Sequence, residues 1–205
     1  MKDPVFDSLA KLYQANGHQL YIVGGTARDL LLGRAFSDRD YATDATPEQE
    51  KAFLKEANYA FERYGSVKVA FENQEIDVTT LRKEADYHDF RHPGKVSFVT
   101  DPKIDYLRRD FTINALYLTI DYAVLDYCGG MQDLQDKLIR FVGDPARRVQ
   151  EDPLRILRAL RFAETLSFTI EEKSQRAIDE YRPLLAHLNP EKVKEEERKG
   201  LKRIK

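Results

Sequence analysis

The chain has 205 residues, 42% of them hydrophobic and 33% charged, with a net charge of −2. That balance fits one folded domain, or one domain with an appendage, and excludes a disordered or uniformly basic polypeptide. No run approaches the ~20 apolar residues of a membrane span, no signal-peptide core opens the chain, and a lone cysteine, Cys128, excludes an internal disulfide. These features fit a cytoplasmic protein with no membrane partner, and they identify no protein partner. Arginine nevertheless clusters at 147, 148, 155, 158 and 161, so a local basic groove is compatible with the overall charge.

In chain order, Val5, Leu9 and Leu12 recur at helical spacing and predict an amphipathic helix over 4–16. "QLYIVGG" reads as a buried strand ending at two glycines, followed by a helix from about Thr26 that Gly33 stops. "DRDYAT" is a second strand. "TPEQEKAFLKEA" predicts a helix with Thr46 as N-cap, Pro47 in the first turn and Gln49 closing a capping box. "SVKVAFE" and "EIDVTTLR" predict a hairpin turning at Asn73–Gln74, with Val67, Val69 and Phe71 inward. Residues 83–100, with Pro93, Gly94 and two histidines, read as an exposed, mobile loop. A helix is expected over most of 103–116, then a strand at "AVLDY" and a turn at Gly129–Gly130. From Asp144 the chain reads as wholly helical. The expected division is a mixed α/β head over 1–143 and a helical neck over 144–205. The final basic run reads as an architecture stopped partway, with helical partners missing.

The chemistry starts at "VGGTARDLLLGRAFSDRDYAT". On a strand, Asp38 and Asp40 project from one face, and two adjacent carboxylates repel unless a cation lies between them. Hard oxygen ligands suit Mg²⁺. Gly24 and Gly25 leave backbone amides open to a phosphate, at the positive end of a helix. A metal pair beside a phosphate cradle is equipment for phosphoryl or nucleotidyl transfer. Asp77, between Ile76 and Val78, is a third carboxylate candidate or an ordinary solvent-facing strand residue. "RRDF" at 108–111 sets two guanidiniums beside an acid, and their forks suit triphosphate or ribose oxygens. In "EDPLRILRALRF", Asp152, Arg155, Arg158 and Arg161 recur every three residues, with Leu154, Leu157 and Leu160 as the apolar stripe alongside. An exposed ion-pair ladder would have the same spacing. A carboxylate beside a guanidinium can also read a base. Cytosine and adenine each show an amino group beside an unprotonated ring nitrogen, whereas guanine and uracil reverse that polarity and would leave buried polar groups unpaired.

The strings "VGGTARDLLLGRAFSDRDYAT", "VTTLRKEADYHDFRHPGKVSFV", "RRDFTINAL", "DYCGGMQDL" and "VGDPARRVQEDPLRILRALRFA" occur in that order, and the chain from about 18 to 195 resembles the class II tRNA nucleotidyltransferases (CCA-adding enzymes) and their bacterial poly(A) polymerase relatives. The resemblance implies an α+β fold: a polymerase-β-like nucleotidyltransferase head, a mixed sheet with flanking helices, then an all-helical neck, with body and tail domains absent. It implies Asp38 and Asp40 as catalytic metal ligands for Mg²⁺, and Gly24, Gly25 and Arg28 at the triphosphate. Arg109 matches a nucleotide-contacting arginine. Asp152 and Arg155 match the pair that reads the base, supported by Arg158 and Arg161.

The implied activity is addition of C and A to tRNA 3′ ends from CTP and ATP without a nucleic-acid template. Within the family the rivals are a poly(A) polymerase and an enzyme adding only CC or only A. The intact "EADYHDFRHP" loop favours full CCA addition, because CC-adding members commonly have a shorter loop there. The rival of another class is a non-catalytic nucleotide- or RNA-binding module, against which the paired aspartates speak.

Overall fold

A computed structural model describes residues 2–87 and 93–203. Its packing forms two compact units, one of residues 1–84, 96–108 and 114–127, the other of residues 85–95, 109–113 and 128–205. The sequence-based division at 143 therefore runs through the second unit.

The first unit opens with α1 (Pro4–Ala15), capped by the Asp3 side chain, which accepts from the Val5 amide. Its buried face is Phe6, Leu9, Ala10 and Tyr13, so the helix is rotated slightly from the expected Val5–Leu9–Leu12 stripe. Next come β1 (Leu20–Ile22), α2 (Gly24–Leu31), β2 (Arg39–Thr43) and α3 (Pro47–Glu50). The expected capping box is present, but α3 is a single turn and not the longer helix that "EKAFLKEA" suggested. β3 (Asn58–Phe61), β4 (Ser66–Phe71) and β5 (Gln74–Thr80) follow. The β4–β5 hairpin turns through Glu72 and Asn73, both at positive φ, one residue earlier than expected. That is the backbone twist a two-residue hairpin favours. β6 (Arg82–Tyr87) and β7 (Pro93–Phe98) pair as a two-stranded sheet, so the flanks of the expected loop are strands. Its tip, including both histidines, lies outside the described residues.

α4 (Pro102–Asp105) and a 3-10 turn at 106–108 are followed by another 3-10 turn at 112–114, β8 (Tyr117–Leu118) and β9 (Val124–Leu125). The long helix expected over 103–116 is thus broken. β3, β4, β5, β2, β1, β8 and β9 form one seven-stranded sheet in that order, antiparallel except for the parallel β2–β5 pair. α1 and α2 cover one face, packing Phe6, Leu9, Tyr13, Ala27 and Leu30 onto Ile22, Tyr41, Ile76 and Val78. Because strand residues alternate, the same register turns Asp40, Ala42 and Asp77 to the opposite face.

The second unit contains α5 (Gly130–Gln135), β10 (Leu138–Ile139), α6 (Pro145–Glu151), α7 (Leu154–Leu166), β11 (Thr169–Ile170), α8 (Glu172–Tyr181) and α9 (Pro190–Arg203). β11 pairs in parallel with β10, so the region after Asp144 is not wholly helical. Here Phe111 forms an isolated antiparallel bridge with Phe141, and the Thr112 and Val142 amides bond Arg140 O and Asp110 O. This pairing breaks the predicted helix, because Phe111 gains Phe141 at 5.0 Å and Phe162 at 5.6 Å between ring centroids. No helix among the described residues is long and apolar enough to cross a membrane.

Candidate active site

In the first unit, β1 ends at Val23 and the chain turns at once into α2. Gly24 holds that turn at φ +63°, and a Cβ there would sit 3.4 Å from Asp40 Oδ2. A side chain would be strained at this φ and would come into direct contact with the carboxylate, so the backbone conformation is what calls for glycine. Gly25 is similarly close, its Cβ direction meeting Arg28 Nη2 at 3.6 Å. Thr26, buried, ties the aspartate segment to the helix: its hydroxyl donates to Asp38 O and accepts from the Asp40 amide, both at 2.9 Å. One side chain thus spans the backbone from the first aspartate to the second. Asp38 is exposed, Asp40 half-buried on the sheet's open face, and Ser37 Oγ donates to Asp38 Oδ1 at 3.2 Å.

Arg28 differs from the expectation of an open phosphate-binding side chain. It is fully buried, its Nε and Nη2 donating to Asp29 Oδ1 at 2.9 and 2.8 Å and its Nη1 to Asn114 Oδ1 at 2.8 Å. Its donors are engaged inside the protein, so the guanidinium braces the glycine turn from beneath. Asp77 stands opposite Asp40 in the parallel β2–β5 register. It is half-exposed and lies 3.4 Å from Lys68 Nζ, which answers its charge locally.

Among the described residues no group of three or more His, Cys, Asp or Glu side chains could hold a metal. A two-carboxylate site still fits Mg²⁺, which commonly takes one or two carboxylates and completes its octahedron with water and substrate phosphates.

In the second unit, the acid of "RRDF" has a clear partner. Asp110 Oδ2 accepts from both Arg158 Nε, at 2.8 Å, and Arg158 Nη2, while its Oδ1 accepts from the Phe111 amide at 2.7 Å. Burial alone would push the Asp110 carboxyl up; the Arg158 guanidinium and the amide override it and hold it below the usual range. Burial opposes the Arg158 charge too, and Asp110 restores it. Arg109, the preceding residue, is half-buried and lies in the connection after the 3-10 turn at 106–108, not on the helix expected there.

Asp152 is also not on a helix. It sits at the break between α6 and α7 with φ −151° and ψ 96°, extended as a residue before proline tends to be, and its Oδ1 accepts from the Leu154 amide at 3.1 Å. Arg155 is buried in the first turn of α7 and donates to Arg148 O at 2.8 Å and Glu151 Oε2 at 3.1 Å. The apolar face of α7 is Leu154, Ile156, Ala159, Phe162 and Leu166, with Leu157 and Leu160 only partly buried. The expected leucine stripe is therefore displaced by the burial of Arg155. Arg161 lies over the Phe162 ring at 4.2 Å and pairs with buried Glu196 of α9 at 2.5 Å, so it joins two helices. The sequence reading assigned no site role to Thr26, Asn114, Asp110 or Glu196. Only Asp110 carried a local signal, an acid next to two arginines.

The chain matches the family model "Poly A polymerase head domain" over residues 20–140. It is 41% identical to the CCA-adding enzyme of Bacillus pumilus over 98% of this chain and 51% of that protein. Its structure superposes on the Bacillus stearothermophilus CCA-adding enzyme in complex with CTP with a TM-score of 0.89 and 34% identity, covering 98% of this chain and 49% of the other. A tRNA nucleotidyltransferase complexed with a primer tRNA and an incoming ATP analog matches at TM-score 0.75 and 30% identity, over 93% and 55%. The chain spans about half the length of the curated relatives it matches.

Proposed function

The chain belongs to the poly A polymerase head-domain family, and from that premise we propose that it carries the nucleotide-transferring part of a CCA-adding tRNA nucleotidyltransferase. The observation that carries this reading is the pair Asp38 and Asp40 beside the Gly24 turn, tied together by Thr26. The reaction joins the 3′-hydroxyl of a tRNA primer to the α-phosphorus of CTP or ATP as the bond to pyrophosphate breaks. Asp38 and Asp40 would hold Mg²⁺, which supplies positive charge at the phosphoryl oxygens and makes the hydroxyl more acidic. The Gly24 and Gly25 amides meet phosphate oxygens, with Arg28 keeping their turn in shape. Arg109 contacts the triphosphate or sugar. Asp152 and Arg155 accept from and donate to the Watson–Crick edge shared in polarity by C and A, with Arg158 and Arg161 supporting them through Asp110 and Glu196. In this reading residues 1–143 are the head and 144–205 the start of a neck, in a cytoplasmic protein.

The family's name raises a second reading, a poly(A) polymerase. Both are tested by incubating the chain and Mg²⁺ with tRNA lacking its 3′ CCA and each NTP, alone and combined. CCA addition gives products extended by two residues with CTP and by three with CTP plus ATP. Long ladders with ATP alone would support polyadenylation. Asp38→Ala and Asp40→Ala should each abolish product while leaving the melting temperature nearly unchanged, since carboxylates at an open metal site add little stability. Product from either variant at the normal rate would sink the assignment.

A further inference from the structure

The face of β2 opposite the aspartate pair is held by a residue from the start of the chain. Arg39 separates Asp38 from Asp40, so strand alternation sends its side chain to the helix-covered face. There Arg39 Nε lies 3.2 Å from Asp3 Oδ2, and its Nη1 donates to Gln74 Oε1 at 3.0 Å. Tyr41, on the same face, donates to the same Asp3 oxygen at 2.8 Å. Asp3 is itself 1% exposed and fixed in place: its amide donates to Tyr122 Oη at 2.8 Å, and that hydroxyl donates to Asp7 Oδ1 at 2.8 Å.

Asp3 needs none of this to cap α1. As a cap it has only to accept from Val5. The additional contacts reach 36 and 38 residues along the chain, to the two residues that alternate with Asp40 in register. A strand's rotation about its own axis is one degree of freedom, so fixing Arg39 and Tyr41 behind the sheet fixes where Asp40 points in front.

We propose that Asp3 is a positioning residue, which through Arg39 and Tyr41 sets the rotation of β2 and thereby the spacing of the Asp38 and Asp40 carboxylates that take a divalent cation. This rests on the reading of Asp38 and Asp40 as a metal pair. The geometry makes a prediction whose sign opposes simple electrostatics. Arg39 is a positive charge next to a cation site, so its removal by charge alone should tighten cation binding. If its anchored side chain orients the carboxylates, removal should weaken binding instead.

The test is binding of Mn²⁺ alone to the full chain, followed by the electron paramagnetic resonance signal of the free ion. Asp3→Asn is the key variant, because asparagine caps a helix as well as aspartate does yet lacks the charge that holds Arg39. Arg39→Gln removes the positive charge, and Arg39→Lys keeps it without the two-pronged reach to Asp3 and Gln74. We expect wild type to bind, Asp40→Ala to lose binding, and Asp3→Asn and Arg39→Gln to weaken it at least threefold, with Arg39→Lys between. Thermal melts alongside show that the variants remain folded. Unchanged or tighter binding by Arg39→Gln, or wild-type affinity in a folded Asp3→Asn, would overturn the positioning role while Asp40→Ala upholds the metal pair. Should Asp40→Ala also bind as wild type does, the metal reading itself falls and the positioning role with it.

Discussion

The roles proposed for Asp152 and Arg109 can be separated by mutation. If Asp152 supplies an acceptor to the amino group of C or A, as the proposed function has it, Asp152→Ala should raise misincorporation of U and G relative to C and A. A lost base-specific hydrogen bond is worth about 1–3 kcal/mol, one to two decades of selectivity. The variant also loses the bond to the Leu154 amide, so its melting temperature should drop slightly, but a stability loss affects all four nucleotides equally. Arg109→Ala should slow all four alike. Relative incorporation of CTP, ATP, UTP and GTP by the two variants decides between these roles, and unchanged preference in Asp152→Ala would leave that residue a turn former. A second residue-scale expectation concerns Glu50, buried at 0% exposure with Oε2 unpartnered and Oε1 accepting from Tyr13 Oη. Burial raises its carboxyl to about 7, against the lowering effect of the Tyr13 bond. A raised folded pKa gives stability that is full below the unfolded value and lost as pH rises through the folded one. Wild type should therefore lose on the order of 2–3 kcal/mol between pH 4.5 and 8, and Glu50→Gln should show a flatter profile over that range in urea titrations. Parallel profiles would contradict it.

Elements that announce themselves by local chemistry were legible in the sequence, and those decided by distant partners were not. The Thr46–Pro47–Gln49 cap, the β4–β5 hairpin and the strand–glycine–helix run at 20–31 rest on residues a few positions apart. The helix expected over 103–116 failed because Phe111 and its neighbours pair with 140–142, about thirty residues on, which no periodicity at 103–116 records. Asp152 was misplaced onto a helix because the three-residue spacing outweighed the signal of Pro153. Arg28 and Arg161 read as open ligands, since Asn114 and Glu196 are far away in sequence. The Asp110–Arg158 pair likewise joins two elements of the second unit and yields an acid-sensitivity prediction. The Asp110 carboxyl is held below its ordinary range, so its contribution is present above the unfolded pKa and lost as pH falls through the folded one. Asp110→Asn should cost about 2–3 kcal/mol at pH 7, discounted from the buried-pair range because Arg158 is partly exposed, and the gap to wild type should narrow as the pH falls below the ordinary carboxylate range. A constant gap across that range would remove the ion pair as its cause.

At the scale of the molecule, the proposed function would require a chain of net charge −2 to grip a polyanion. Affinity for a nucleic-acid backbone comes from cations that displace condensed counterions, each phosphate contact contributing about −0.9 to the slope of log K against log salt for duplex and about −0.7 for single strands. Many arginines of the second unit are already answered: Arg148 and Arg155 by Glu151, Arg158 by Asp110 and Arg161 by Glu196. A guanidinium neutralised internally orients hydrogen bonds to a base or sugar but releases few counterions. The isolated chain should therefore bind tRNA weakly, with a slope of about −2 to −4, corresponding to a handful of phosphates. Nucleotide binding, which relies on oriented donors, should lose less affinity over the same salt range. Fluorescence anisotropy with labelled tRNA and with a labelled CTP analogue between 50 and 300 mM salt makes the comparison. A slope near −8 would mean that the internal ion pairs open to meet the backbone. Tight binding insensitive to salt would mean that contacts other than phosphate pairing hold the tRNA.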